Sequence, residues 1–414
     1  MRILFFSTAF PQPDELMRNP DNLERCAALA RRHDIQVVSP LAWLRPIRRP
    51  KSDGSDSLRG LTIARPAFCY PPRVLRATHA WCMWQSIRAE VARIVAGFQP
   101  DAILSYWTYP DTAVALEVAR LARVTCVAIV GGSDVLAIDP AAPRPAGRRV
   151  QRVLRDADGI AAVSESIKDR IIALGIDADK VDVLPAAVDN SIFFPASKEC
   201  ARRHLMLPAD GHVLLWVGRM VAVKRVDVIV DAIARLVPRF PNIRLCLVGD
   251  GPLLRGLEQR VAAAGLSNHA VFTGRVAHRD LPDYYRAADV TLLPSEWEGM
   301  PNTLLESHAC GTPFVASAVG AIPQLAIANV DQLVSRPDPQ QLADAVAICL
   351  QRPSGRGAVV TANPGGWDGM ADTLVDLLDK ARRKSRFNAA AATPTGAPRQ
   401  RHLRPSPSRF ENAS

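Results

Sequence analysis

Short apolar runs alternate with amphipathic segments along this chain, and they do so in two separate series, which leaves few folds open. In the first series, apolar runs at 3–6, 35–39, 102–105, 125–130 and 159–163 are interleaved with amphipathic stretches at 22–32, 78–96 and 112–122. Strand-length runs separated by helical periodicity are the pattern of β-α-β units, and parallel strands joined by helices form a doubly wound sheet. Past residue 189 the pattern lapses into proline-containing text on either side of a short basic helix, the expected inter-domain connection. The second series has strands at 213–217, 243–248, 270–272, 290–293 and 314–316, with helices at 227–236, 253–264, 281–287 and 339–350. The expected fold is therefore α/β, with Rossmann-like domains at 1–193 and 208–352. A chain of 414 residues is too long for one ordinary core and fits two of roughly 150–200 residues.

Composition narrows the function class. Eight cysteines lie scattered without C-x-x-C or His/Cys ligand spacing, so neither a zinc site nor a disulfide framework is expected and a reducing cytoplasm is. The apolar opening is short and runs into Pro11-Gln-Pro-Asp, which favours a buried first strand over a signal peptide. No apolar run approaches the roughly 20 residues of a membrane-spanning helix. The formal charge of +10 invites an anionic partner. Nothing resembles a nucleic-acid motif, and the absence of G-x-G-x-x-G in 3–14 speaks against a dinucleotide oxidoreductase. From about residue 384 the text turns to Ala, Pro, Arg, Ser and Asn, and the tail 384–414 is expected to be disordered.

The chemistry concentrates in 295–317, SEWEGMPNTLLESHACGTPFVAS. Glu298 and Glu306 stand on either side of a Gly-Met-Pro turn that opens a helix, with Pro301 expected one position inside its start. Free amides and the positive end of the helix dipole suit a phosphate, and the two acids can accept hydrogen bonds from sugar hydroxyls. Capping by Glu298 and solvation of Glu306 would explain the acids equally well if they stood alone. After strand 213–217 comes GRMVAVK, in which Gly218 permits a tight turn while Arg219 and Lys224 can reach one anion and neutralise charge on a leaving diphosphate. VGDGP at 248–252 and FTGRV at 272–276 follow two further strands; Gly249 and Gly251 allow close backbone approach to a ligand, or simply make tight turns. Asp156-Ala-Asp158 spells D-x-D but is read as two acids at a helix-strand junction, so no metal is expected.

These strings resemble the E-x7-E and VGR-x4-K motifs of the retaining family 4 glycosyltransferases, whose GT-B fold faces two Rossmann-like domains across a cleft. The resemblance covers about residues 1–382 and is thinnest after Gly320, where Gln324 replaces the usual Glu. It implies that Glu298 contacts the donor sugar, that Gly299 and Met300 offer amides to the diphosphate, and that Glu306 holds the nucleoside ribose. It also implies that Gly218, Gly249, Gly274, Arg275 and Val276 line the nucleotide site, and that Glu298, Arg219 and Lys224 carry the chemistry. No cofactor is implied, the nucleotide sugar being the donor substrate. A helix at 367–382 is expected to cross back onto the first domain.

The first domain is expected to hold the acceptor. SYWTYPD at 105–111 and VGGSD at 130–134 are similar to family segments, but Tyr106 and Gly131 stand where the family commonly carries His, and Ala186-Ala187 replaces Asn-Gly. Asp111 and Asp134 are the remaining acceptor-side candidates. Arg45, Arg48, Arg49 and Lys51 near Trp43, then Arg73, Arg76, Trp81 and Trp84, form a basic, aromatic stretch. It fits either peripheral contact with an anionic membrane at the cytoplasmic face or an ordinary basic surface. The implied activity is sugar transfer from a nucleotide diphosphate to a glycan or lipid-linked acceptor hydroxyl in polysaccharide or envelope-glycan assembly. A catalytically silent glycan- or nucleotide-sugar-binding protein and a sugar-nucleotide epimerase of the same fold are the alternatives.

Overall fold

The computed structural model describes residues 1–12, 19–42, 56–70, 78–136, 138–139, 141, 144–351 and 365–392. The first domain contributes β1 (Arg2–Phe6), β2 (Asp34–Val38), β3 (Leu41–Ala42), β4 (Asp56–Leu58), β5 (Leu61–Ala64), β6 (Ala67–Phe68), β7 (Ala102–Tyr106), β8 (Thr125–Val130), β9 (Gly159–Ala162) and β10 (Val181–Val183). Eight of these form one sheet in the order β10-β9-β8-β7-β1-β2-β5-β4, parallel except for the β4-β5 pair, while β3 and β6 pair separately. Every residue of β8 is buried, which is why the run CVAIV after Thr125 is continuously apolar: helices cover both faces of a parallel sheet.

The second domain contributes β11 (His212–Val217), β12 (Ile243–Val248), β13 (Ala270–Gly274), β14 (Val290–Leu293), β15 (Phe314–Ser317) and β16 (Gln332–Val334). They lie in the order β13-β12-β11-β14-β15-β16, all parallel. Numbered within its own domain, this is 3-2-1-4-5-6, the doubly wound order whose ligand crevice opens where the chain reverses direction across the sheet. Here that point lies between β11 and β14. In the first domain the equivalent reversal lies between β1 and β7.

Helix Gly366–Ala392 packs on the first domain and buries Leu374, Leu377 and Leu378 in the same core as Ile3, Phe5, Leu104 and Val127. Burying each of those leucines contributes roughly 1.5–3 kcal/mol. The helix corrects one expectation: residues 384–392 are helical rather than part of a disordered tail. The run Ala389–Ala392 explains this, since alanine has the highest helix propensity and prolongs a helix already nucleated by packing. Residues 393–414 lie outside the described residues. The hairpin β4-β5, strands β10 and β16, and helices Pro145–Asp156 and Glu165–Ala173 were not expected.

Candidate active site

The loops after β11 and β14 flank the second-domain crevice, and one side-chain pair joins them. Lys224 closes a single turn, Ala222–Lys224, and its Nζ lies 2.6 Å from Glu298 Oε1. Glu298 is 8% exposed, and both partners are largely withdrawn from water, so this charge-assisted bond is stronger than a surface pair. The Glu296 N–H donates to Val223 O at 2.9 Å, fixing the two loops together. Behind Glu298 packs Gly320, where an added Cβ would fall 1.9 Å from Glu298 O. Arg219 is exposed, and its side chain has no ion-pair or hydrogen-bond partner among the described residues.

Arg219 faces a cavity of about 440 Å³ that is also lined by Gly218, Gly249, Asp250, Arg275 and Val276. The glycines occupy the ends of adjacent strands. Gly249 sits at φ 127°, and a Cβ there would lie 1.9 Å from Gly218 O, so backbone-to-backbone approach requires glycine. Arg275 is tied to Asp250 at 2.6 Å, which turns its charge along the rim.

Helix Asn302–Ala309 begins one residue later than expected, with Pro301 flanking it, and carries Glu306 inward. Both carboxylate oxygens are engaged: Tyr285 Oη donates to Oε2 at 2.7 Å, and His278 Nε2 lies 2.8 Å from Oε1. Burial pushes the Tyr285 hydroxyl well above its usual range, with the Glu306 charge adding to the effect, so it stays a donor. Neither Tyr285 nor His278 was singled out from sequence. Their partnership with Glu306 spans 21 and 28 residues and leaves no local spacing signal.

Burial alone would lower the His278 pKa, but the hydrogen bond to Glu306 and the charges of Glu306, Asp21 and Glu24 outweigh it and raise it above the usual value. A raised histidine pKa stabilises the fold fully below the unfolded value of about 6.5, and that contribution disappears as pH rises through the folded value. His278→Ala is therefore expected to cost about 1–2 kcal/mol at pH 6 and progressively less at higher pH. Urea unfolding of both proteins from pH 5.5 to 9 checks this; a difference independent of pH would refute the ion pair.

The structure places both acceptor-side acids in hydrogen bonds within their own domain. Asp111 is fully buried and accepts from Thr8 N at 2.8 Å, Thr8 Oγ1 at 2.9 Å and Ser7 Oγ at 3.2 Å. It stitches the loop after β1 to the segment after β7 and presents no oxygen to an acceptor. Asp134 accepts from Thr108 Oγ1 at 2.7 Å and Gly132 N at 2.8 Å, with burial raising its pKa. A carboxylate can satisfy a motif by fastening its own loop, because backbone N–H groups left buried need acceptors. Asp156 ends a helix and Asp158, just before β9, accepts from Cys126 N at 2.8 Å, as a junction acid should. Of the basic, aromatic stretch, Trp43, Arg45, Arg48, Arg49, Lys51, Arg73 and Arg76 lie outside the described residues. Trp81 is 64% exposed, while Trp84 packs against the first-domain core. No helix among the described residues is long and apolar enough to cross a membrane.

The two domains meet at the loop that leads into helix Asn302–Ala309. A Cβ on Gly299 would lie 2.3 Å from Gly131 O, and the Asn302 side-chain amide donates to Asp21 of the first domain.

Comparison with known proteins places both halves. The model described as Glycosyltransferase Family 4 matches residues 16–191, and that described as Glycosyl transferases group 1 matches 211–352. The D-inositol 3-phosphate glycosyltransferase of Streptosporangium roseum is 36% identical over 253 residues, 57% of this chain and 58% of that protein. The corresponding protein of Frankia alni is 35% identical over 312 residues, 68% of this chain and 75% of that one. The match thus spans little more than half the length of the first of these relatives. Among solved structures, sucrose-phosphate synthase of Thermosynechococcus elongatus superposes with TM-score 0.72 at 22% identity, covering 94% of this chain and 99% of that one. Anabaena HepE in complex with UDP-glucose gives 0.66 at 18%, covering 94% and 100%. At such identities these two likenesses establish the GT-B fold alone.

Proposed function

Because this chain belongs to the family 4 glycosyltransferases, we propose that it moves a sugar, with retention and without a metal ion, from a nucleotide diphosphate to an acceptor hydroxyl in glycan assembly. The observation that carries the reading is the Lys224–Glu298 pair at the sheet reversal beside the unpartnered Arg219. Arg219 lines the cavity and Lys224 stands on the same loop, held by Glu298; fixed cations there would neutralise charge as a diphosphate departs, without reorganisation. Arg219 and Lys224 take the diphosphate, the Gly299 and Met300 amides assist, and Glu306 holds the ribose through lone pairs left beside Tyr285 and His278. Glu298, oriented by Lys224, accepts from a hydroxyl of the transferred sugar. The acceptor hydroxyl attacks from the face the diphosphate leaves, and the leaving oxygen takes its proton. Likeness to a protein solved with UDP-glucose supports a nucleotide sugar as donor. We also propose that the acceptor is met at an anionic membrane surface through the basic, aromatic stretch, of which Trp81 is an exposed member.

A panel of nucleotide sugars tests the reading. A ligand at 100 times its Kd adds about 2.7 kcal/mol, which for a chain of this size, at about 2 cal/mol/K of unfolding entropy per residue, is an upward shift of Tm of about 3 °C. At least one nucleotide sugar should produce that shift, and its nucleoside diphosphate a smaller one. A panel that leaves Tm unchanged throughout sinks the proposal. Release of nucleotide on adding acceptor separates transfer from silent binding, and conversion of donor without acceptor identifies an epimerase.

A further inference from the structure

Helix Pro145–Asp156 carries its charge in a row. Arg148, Arg152 and Arg155 stand four and three residues apart and so share one face, and Arg144, at the N-cap, extends the row by a turn. All four are exposed, while Gly147, Gln151, Val153 and Leu154 turn inward. At about 1.5 Å per residue the row is about 16 Å long, and it is one side chain wide. The acid of this helix, Asp156, lies at the far end, 3.8 Å from Arg120 Nη2. Arg144, Arg152 and Arg155 make no ion pair with any described residue.

Topology gives the row its direction. The chain leaves β8 at Val130, on the sheet edge that meets the second domain through Gly131 and Gly132, and the helix then carries it to the opposite edge, where Asp158 N donates to Cys126 O at 3.0 Å before β9 begins. The row therefore starts at the cleft rim and runs down the outer face. At the rim the Arg149 guanidinium lies 6.0 Å from the centre of the Tyr109 ring, in the segment after β7 beside the first-domain reversal.

The row works against the helix that bears it. Cations at the start of a helix meet the positive end of its dipole, like charges four residues apart repel, and no acid stands in the first turn to offset either effect. Departure from a local rule is expected where a partner compensates. Guanidinium groups take carboxylate and phosphate oxygens in paired hydrogen bonds. A single row of them matches a linear polyanion. An anionic membrane is a plane, and helices that lie on it add exposed apolar side chains, whereas this helix exposes no large one.

We infer that this row is a docking track for an acidic glycan chain, one bearing carboxylate or phosphate groups, and that the track leads to the cleft. The inference rests on the glycosyltransferase reading and adds to it the charge class of the glycan that the first domain meets.

Fluorescence anisotropy of a labelled galacturonic acid hexamer tests it, with the methyl ester of the same hexamer as a neutral chain. The acid should bind at least about tenfold more tightly than the ester, with an affinity that falls as salt rises. Arg148→Gln, Arg152→Gln and Arg155→Gln combined should weaken the acid about tenfold and flatten its salt dependence, each exposed pair being worth a few-fold. Glutamine nearly matches arginine in helix propensity and the three positions are exposed, so Tm should hold. Arg88→Gln, Arg93→Gln and Arg255→Gln combined remove the same charge from exposed positions elsewhere and should leave binding within about twofold. Equal loss in the two triple variants makes net charge the cause and overturns the inference, as does equal binding of acid and ester. Vesicles of phosphatidylcholine and phosphatidylglycerol in equal parts supply the other arm. If the row's variant releases the protein from them yet binds the hexamer as the wild type does, the row faces a membrane and the inference fails. The assay contains no nucleotide sugar, so its failure refutes the track alone; the thermal panel tests the transferase reading separately.

Discussion

Lys224→Ala is expected to lower kcat by about 10²–10³-fold, while the Kd of the nucleotide sugar rises less than tenfold. The asymmetry follows from where charge grows. In the donor complex proposed above the diphosphate is already anionic and would be shared among Arg219, the backbone amides and Lys224. In the transition state further negative charge collects on the leaving oxygen, where a fixed cation has most effect. The mutation also leaves Glu298, 8% exposed, without its partner at 2.6 Å, and the carboxylate then loses its orientation towards the sugar. If Lys224 only positioned Glu298, the variant would raise Kd and KM while kcat held. Stopped-flow turnover with calorimetric donor binding separates these outcomes. An unchanged kcat defeats the assignment of Lys224.

The second large effect is expected at Gly299→Ala, a change of one methyl group. The added Cβ would sit 2.3 Å from Gly131 O and 3.4 Å from Gly132 Cα, both backbone atoms of the opposite domain that no rotamer change can move aside. The domains must therefore part by about 1 Å or more at this contact, beside the proposed donor site. Misplacement of that size costs about 10²-fold in turnover. Each domain keeps its own core, so unfolding stability should change by less than about 1 kcal/mol. Activity measured alongside urea unfolding and small-angle scattering checks this: a slower enzyme of equal stability and slightly larger radius is expected. Wild-type turnover would show that the Gly131–Gly299 contact plays no part in the reaction.

The donor-side candidates could be picked out as a set because each group of them is local. Gly218, Arg219 and Lys224 lie on one loop, Glu298 and Glu306 on one turn and helix, and each loop follows a strand whose apolar run is plain in the text. The acceptor side was not legible in the same way. Asp111 stood in a familiar string, but its oxygens are taken by Ser7 and Thr8, more than a hundred residues away in sequence. Tyr106 and Gly131 read as two separate departures, but a Cβ at Gly131 would fall 2.7 Å from the Tyr106 hydroxyl, which makes them one arrangement. Among secondary elements, helix Pro145–Asp156 escaped notice because five arginines fall within or beside it and only Gly147, Gln151, Val153 and Leu154 are buried. The β4-β5 hairpin escaped because Asp56–Leu58 is short and polar.

The helix Gly366–Ala392 gives the molecule a sequence of assembly as well as a shape. Its leucines complete the core of a domain whose other strands were synthesised some two hundred residues earlier. While a ribosome is still making the second domain, the apolar face around Ile3, Leu104 and Val127 stands uncovered, in need of a chaperone or of delay. The second domain, continuous from β11 to β16, can close on itself first. The half that begins the chain is thus the half that finishes folding last.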